Sequence, residues 1–343
     1  MKDTGPTMPS DGSQSGEAGI DPGSQSLASL ADRMAGFDAF APAGNREFGA
    51  LVSFHYFRNR DLASLVGGLE QRPRIFSDSG GFSAHTQGSI ITVDDYGRWL
   101  RRNKDYIDDY ATLDVIYDWK GTLRNQLKLE QMGLRPMPVL HYGSPPEEIE
   151  RYVRRGYEYM CLGGLVPKSM IISRGLRQMA DGHEVKHEGK DCIRWLDRCH
   201  IIAKDCGMKL HGFGLTNWRA VLRWPWFSVD SSSWVGGSRF GGLRLFDPSS
   251  GRWTPTVNRG SLNDMMSVAP LLRQYGLPVT QIACDTNFTP YTMVKATARS
   301  WLVAQRHLER KRGFRTTIYL ALSDGNQMRK IVSAIAQRPP QET

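Results

Sequence analysis

Three carboxylates, three imidazoles and two glycine pairs stand where short apolar runs of this chain end. They are His55, Asp78, Asp114, His141, Gly163-Gly164, His211 with Gly212 and Gly214, and Asp230. The stretch Arg74-Ile75-Phe76-Ser77-Asp78-Ser79-Gly80-Gly81-Phe82-Ser83 is the most telling. An apolar run stops at an acid, two glycines then allow a tight turn and close approach to a ligand, and an aromatic residue follows. A carboxylate at a strand end beside an aromatic face suits proton transfer to a flat ring. The plain alternative is a strand closed by a glycine turn with a capping aspartate. So many polar residues at the ends of successive runs are hard to explain as caps, and a functional rim accounts for them. Two carboxylates facing a sugar carbon suit displacement at an anomeric centre, one attacking and the other managing the leaving group's proton. Phe76, Phe82, Tyr142 and Trp234 offer faces for a base, at about 1–3 kcal/mol per stack, with core packing as the alternative for any one ring. Asp and His sets also bind divalent metals. However, no H-x-H, H-E-x-x-H or D-x-D occurs among these residues, and no Gly-rich phosphate loop is present, so neither a metal nor nucleotide hydrolysis is expected.

Such a rim requires a scaffold that ends its strands together. Strands are expected at Ala50–His55, Arg74–Ser77, Tyr110–Ile116, Met137–His141, Tyr157–Leu162, Lys209–Gly214 and Trp226–Asp230. Helices are expected at Leu62–Leu69, Val93–Asp109, Thr122–Met132, Pro146–Arg155, Cys192–Cys206 and Trp218–Arg223. In Val93–Asp109 the apolar residues Tyr96, Trp99, Leu100 and Ile107 recur at helical spacing. Strand–helix alternation repeated this often implies an α/β fold with a parallel sheet covered by helices. The repeat count is close to eight, which predicts a TIM (β/α)8 barrel with its chemistry at the strand ends. A doubly wound open sheet is the alternative, although no dinucleotide fingerprint follows the first strand. Residues 1–45, rich in Gly, Ser, Pro, Asp and Ala, predict a disordered leader with a short helix near Leu27–Met34. One domain is expected over 46–335. It carries an Arg/Gly-rich insertion at about 235–262, a helix at Leu262–Tyr275 and a basic helix at 291–312. Either Gln281–Cys284 or Thr317–Leu322 supplies the last strand.

The net charge is +9 and the pI about 9.4. A basic excess of this size favours a polyanionic partner, nucleic acid first. Arg239, Arg244, Arg306, Arg310, Lys311 and Arg312 are the expected phosphate contacts; for those on the helix a solvated face is the alternative. Cys161, Cys192, Cys199, Cys206 and Cys284 form no C-x-x-C pair, which argues against a disulfide framework and a thiolate zinc knuckle. No apolar run is long enough to cross a bilayer, and the start of the chain lacks the pattern of a signal peptide. A cytoplasmic protein with no membrane partner is expected.

Phe76-Ser77-Asp78-Ser79-Gly80-Gly81-Phe82 resembles the D-S-G-G-[FY] motif of the tRNA-guanine transglycosylase superfamily. Later landmarks are similar, in the same order. Val139-Leu140-His141-Tyr142-Gly143 falls where that family has a V-Q-G base-reading strand, and Cys161-Leu162-Gly163-Gly164-Leu165 resembles its G-G-L turn. Lys209-Leu210-His211-Gly212-Phe213-Gly214 resembles its H-x-x-G-x-G stretch, and Phe227-Ser228-Val229-Asp230-Ser231 falls where its nucleophilic aspartate ends a strand. The resemblance covers about Ala50 to Trp234. It implies a TIM barrel that exchanges guanine for a 7-deazaguanine. Asp230 would attack C1′ of the target nucleoside to give a covalent glycosyl-enzyme, and Asp78 would serve as general acid and then general base. Ser79, Gly80, Gly81, Phe82, Gly163, Gly164, His211 and Gly212 would line the base pocket. Asp114, or Asp118 in its place, would bind the guanine-like edge, and His141 replaces the family's base-reading Gln. Desolvation would raise the acid–base carboxylate while the nucleophile stays ionised.

The tRNA enzymes carry a C-x-C-x-x-C zinc site with a distal His after the nucleophile. Here only Cys284 follows Asp230, so no zinc and no other cofactor is expected. That departure resembles the phage branch of the superfamily, the 7-deazaguanine DNA transglycosylases. The implied function is a glycosyltransferase that exchanges guanine in DNA for a preQ0-like base flipped into a rim pocket, in the host cytoplasm if phage-encoded. A zinc-free tRNA-guanine transglycosylase is the alternative. A catalytically inactive nucleic-acid-binding barrel is the reading from another class.

Overall fold

Alternate residues of the strands point to two different cores, and this fixes where chemistry can sit. The computed structural model describes residues 49–67, 69, 72–116, 118–215, 217–235, 242–258, 261–275 and 290–329. Its main strands are β1 (Gly49–Ser53), β2 (Arg74–Asp78), β3 (Asp109–Tyr110), β4 (Val139–His141), β5 (Tyr159–Gly163), β6 (Lys209–Gly212), β7 (Ser228–Ser231) and β8 (Thr317–Leu322). They form one eight-stranded parallel sheet in the order β3-β2-β1-β8-β7-β6-β5-β4. The fold is α/β and barrel-like. The sheet is not a closed barrel: β3 and β4 are its two edges, and outside both strands Ala111 and Met137 form an isolated parallel bridge. There Met137 N–H donates to Tyr110 O (2.7 Å) and Thr112 N–H to Met137 O (3.0 Å). Thr317–Leu322, between β1 and β7, supplies the eighth strand. The rival Gln281–Cys284 lies outside the described residues, as do the leader, Arg239 and Arg259.

One set of strand residues packs inside the curled sheet: Leu51, Phe76, Val139, Cys161 and Tyr319, with Ala111 and Met137 at the seam. The intervening set, Val52, Ile75, Leu140, Leu162, Leu210, Val229 and Leu320, packs outward on helices through Trp99, Leu100, Leu129, Ile193 and Leu196. This is the period-two alternation of a strand buried on both faces. Each such side chain contributes roughly 1.5–3 kcal/mol through burial.

Several elements differ from expectation for local reasons. The strand expected over Tyr110–Ile116 ends early, because its backbone groups bond to the next helix instead. Asn125 Nδ2 donates to Leu113 O (2.9 Å), and Val115 N–H donates to Thr122 Oγ1 (2.9 Å). The helix from Val93 stops at Asn103, whose Oδ1 accepts from Leu62 N–H. A helix at Ser169–Ala180 was hidden by its glycine and arginines. A Cβ added at Gly175 would lie 3.6 Å from Gly189 Cα, so the two glycines let this helix come close to His187–Cys206. The expected insertion is a hairpin of two short antiparallel pairings, Phe246–Asp247 with Arg252–Trp253 and Gly242–Leu243 with Val257–Asn258.

At the N-terminal end of the sheet, Arg74 Nη2 donates to Asp109 Oδ2 (2.7 Å) and Tyr319 OH donates to the same oxygen (3.3 Å). Removing one partner strands a buried charge and a hydroxyl. Asp109→Ala is expected to cost roughly 3 kcal/mol in urea unfolding, and Asp109→Asn, which keeps an acceptor, clearly less.

Candidate functional site

Asp78 ends β2, and the backbone N–H groups of Ser79 and Gly80 point at its carboxylate. That turn needs glycine. Gly80 sits at φ 76°, and a Cβ there would lie 2.4 Å from Ser53 Oγ and 2.5 Å from His55 Cβ. Burial pushes the Asp78 carboxyl up to about 7. The charge of Asp114 adds to the rise and that of Asp230 adds less, while the two N–H groups oppose it. The three carboxylates are therefore neighbours on one rim.

Asp114 has a protein partner on each oxygen. Ser79 Oγ donates to its Oδ1 (2.8 Å), and His141 Nε2 lies 3.1 Å from its Oδ2. Gly81 passes so close that a Cβ would be 2.5 Å from Oδ1. His141 ends β4 and is buried. Gly163 makes room for its ring, since a Cβ there would come within 3.2 Å of it, and Gly164 turns away at φ 71°. Asp230 ends the inward row of β7 and is 7% exposed. Gly214 N–H donates to its Oδ1 (2.7 Å), and His211 Nε2 stands 3.3 Å from the same oxygen, within ion-pair distance but outside hydrogen-bond geometry.

Asp78, Ser79, Gly80, Gly81, Asp114, His141, Gly163, Gly164, His211 and Asp230 thus converge. Phe82, on the first turn of the following helix, is 38% exposed. Others fall elsewhere. Asp118 caps the helix Trp119–Gln131, accepting from Gly121 N–H (2.8 Å) and pairing with Arg124 in solvent, so it reads no base. Gly212 faces the helix layer, where a Cβ would meet the Trp226 ring. Phe76 and Trp234 are completely buried, so neither offers a stacking face. Gly214, named among the strand-end residues, is there as well, whereas sequence reasoning missed Ser228, Tyr159 and the partly exposed Phe213, whose ring stacks on Phe76 at 5.8 Å. Among the described residues, no group of three or more His, Cys, Asp or Glu is arranged to hold a metal ion. No helix among them is long and apolar enough to cross a membrane.

The basic residues divide. Arg312 is taken up by structure: its guanidinium donates to Val221 O, Trp224 O and Thr316 Oγ1, and burial pulls it down to about 10. It pins the final helix (Pro290–Arg312) to the wall of the barrel and cannot meet a phosphate. Arg306 is exposed on the same helix. Arg244, Arg310 and Lys311 border an open cleft of about 1950 Å³. Arg174, Arg177, Arg219 and Arg252, none foreseen as phosphate contacts, border it too, against one described carboxylate, Asp181. The cleft adjoins the rim through Asn217, after β6, and Ser233, after β7.

No protein-family model matches this chain, and comparison with curated proteins gives no match.

A carboxyl raised by folding lowers stability as pH rises. The fold keeps a proton that the unfolded chain releases near 3.8, so this group's contribution is intact below 3.8, is lost as pH climbs to about 7, and is constant beyond. Asp78→Asn removes that loss. Its melting temperature is expected to exceed wild type by at least about 2 °C at pH 8 and to match it near pH 4. An equal offset at both values would contradict a raised Asp78.

Proposed function

We propose that the rim exchanges a nucleobase through a covalent aspartyl-glycosyl intermediate, and that the chain is a DNA-guanine transglycosylase that inserts a 7-deazaguanine. The observation that carries this reading is one rim with two carboxylates in opposed environments. Asp78 is held near neutrality in its protonation, whereas Asp230 has an N–H donor on one oxygen and faces an imidazole. Such a split assigns an acid and a nucleophile. The barrel-like sheet is read as a (β/α)8 barrel, joined at Ala111 and Met137, which puts both groups at the C-terminal ends of strands.

In the first half-reaction an Asp230 oxygen attacks C1′ of the target nucleoside. The C1′–N bond to guanine breaks, and Asp78 gives its proton to the departing base. In the second, the Asp78 carboxylate takes the proton from the incoming base, whose nitrogen attacks C1′ as the ester bond to Asp230 breaks. Both carboxyl groups return to their starting state. Asp114 and the Gly163-Gly164 backbone offer acceptors and donors to the edge of a guanine-like base, with His141 holding Asp114 in place.

Mass spectrometry of nucleosides from duplex DNA incubated with the protein and preQ0 is expected to find the 7-deazaguanine. Asp230→Asn is expected to abolish both incorporation and the trapped DNA adduct, and Asp78→Asn to abolish turnover while base still binds. Incorporation into tRNA alone would replace DNA with tRNA as substrate; incorporation into neither would refute base exchange.

The basic cleft supports a nucleic-acid substrate. Cations on the helix Ser169–Ala180, the hairpin and the final helix border it, and Asn217 and Ser233, in the segments that follow β6 and β7, line it too. Neutralising phosphates releases counterions, so affinity falls with salt. Arg174→Ala with Arg177→Ala is expected to weaken DNA binding evenly across sequences and to shallow the log–log salt slope by up to about 1.8, at about 0.9 per phosphate. An unchanged slope would remove these two arginines from the interface.

A further inference from the structure

Inside the sheet, β5, β6 and β7 place Tyr159, His211 and Ser228 side by side. Ser228 Oγ lies 2.5 Å from Tyr159 OH and 2.6 Å from His211 Nδ1. His211 and Ser228 are completely buried. Burial pushes the Tyr159 phenol well above its ordinary value, so it keeps its proton. One arrangement links the three groups in line: Tyr159 OH donates to Ser228 Oγ, and Ser228 OH donates to Nδ1 of His211. In that arrangement the His211 proton sits on Nε2.

That Nε2–H has no hydrogen-bond acceptor in place, although its ring is 0% exposed. A buried donor left unmade costs stability, and a catalytic role is one of the reasons a fold keeps such a group. The atom nearest in charge is Asp230 Oδ1, 3.3 Å away, which Gly214 N–H already holds. Catalytic hydrogen bonds of this kind are often long in the free enzyme and tighten in the complex. Phe76, 4.7 Å from the His211 ring, and Phe213, 4.8 Å from it, keep the imidazole from turning.

We propose that Tyr159, Ser228 and His211 form a positioning relay that fixes the Nε2–H tautomer of His211, holds Oδ1 of Asp230 and leaves Oδ2 as the attacking oxygen. The proposal rests on the base-exchange reading. No proton leaves the relay. When Oδ2 bonds to C1′, Oδ1 becomes the carbonyl oxygen of the ester and keeps its two donors. When the ester bond breaks, the electron pair returns to the carboxylate, and Nε2–H and Gly214 N–H meet the charge that reappears. His211 is thus a positioning residue in both half-reactions.

Two readouts test it. Nitrogen-15 NMR of histidine-labelled protein is expected to show His211 as the neutral Nε2–H tautomer, and Ser228→Ala or Tyr159→Phe to convert it to a mixture. Rapid-quench formation of the covalent DNA adduct is expected to slow about tenfold in Ser228→Ala and roughly a hundredfold in His211→Phe. KM for the base should stay within about twofold, and His211→Gln, which restores an N–H donor, should recover part of the rate. An Nδ1–H tautomer or an imidazolium in the wild type would overturn the relay. So would Ser228→Ala forming adduct at the wild-type rate while melting as the wild type does. Absence of adduct in the wild type would instead overturn base exchange itself.

Discussion

Like charges gathered at one end of a sheet repel each other unless each has its own donors, and this rim hands out donors unequally. Asp114 has a serine hydroxyl and an imidazole. Asp230 has a backbone N–H and faces a second imidazole. Asp78 has only the N–H groups of its own turn and stands near both other carboxylates. Burial raises Asp78 most, and the charge of Asp114 and then of Asp230 adds to the rise. The chemistry therefore does not need a special residue at position 78. It needs Ser79, His141 and Gly214 to satisfy the neighbours first, so that the protonation falls on Asp78.

Register makes this arrangement possible. His211 pairs with Ser228 and Gly212 with Val229 across β6 and β7. The inward row is then Lys209 and His211 on one strand, Ser228 and Asp230 on the other. A slip of one residue would turn Val229 inward and send Asp230 among the helices. What prevents the slip is the outward row. Leu210 and Val229 pack in the helix-facing core, and Gly212 leaves space for the Trp226 ring. The apolar packing that holds helices to the sheet thus also selects which polar residues enter the barrel-like interior. At the far end the Arg74–Asp109–Tyr319 cluster fills that interior with a second, structural set of charges. Between the two polar sets lie Phe76 and Cys161, both completely buried.

The order of strands and the residues at their ends were legible because burial on both faces writes continuous apolar runs, and a polar residue that ends a run is conspicuous. Asp78, His141 and Asp230 were found this way. Asp114 was found for a partly wrong reason: it sits in a loop beyond a two-residue strand, not at the end of a long one. Asp118 illustrates the limit of spacing, since a carboxylate three residues before Gly121 is equally a helix cap. Gly212 shows that a glycine in a strand has two faces and that sequence does not say which is crowded. Ser228 and Tyr159 gave no signal, being an ordinary small polar residue and an ordinary aromatic until the register sets them beside His211. Arg312 looked like its neighbours Arg310 and Lys311, yet one further step round the helix turns it from solvent to the carbonyls of Val221 and Trp224.

The signs of charge on the rim and the cleft bear on how a substrate would be presented. The cleft is bordered by seven Arg and Lys side chains, and the rim beside it by carboxylates. A polyanion is drawn to the first and repelled by the second. On the base-exchange reading this contrast sorts the parts of a nucleotide. Its phosphates remain among Arg174, Arg177, Arg244 and Arg310, and only the uncharged sugar and base can approach Asp230 and Asp78. A duplex would present phosphates on both strands to the rim, so the base has to leave the stack before the sugar can come near, which costs a few kcal/mol that stacking and hydrogen bonds in the pocket must offset. Electrostatics alone would then disfavour an unflipped nucleotide at the nucleophile. The approach to Asp230 thus does not favour the wrong part of the substrate.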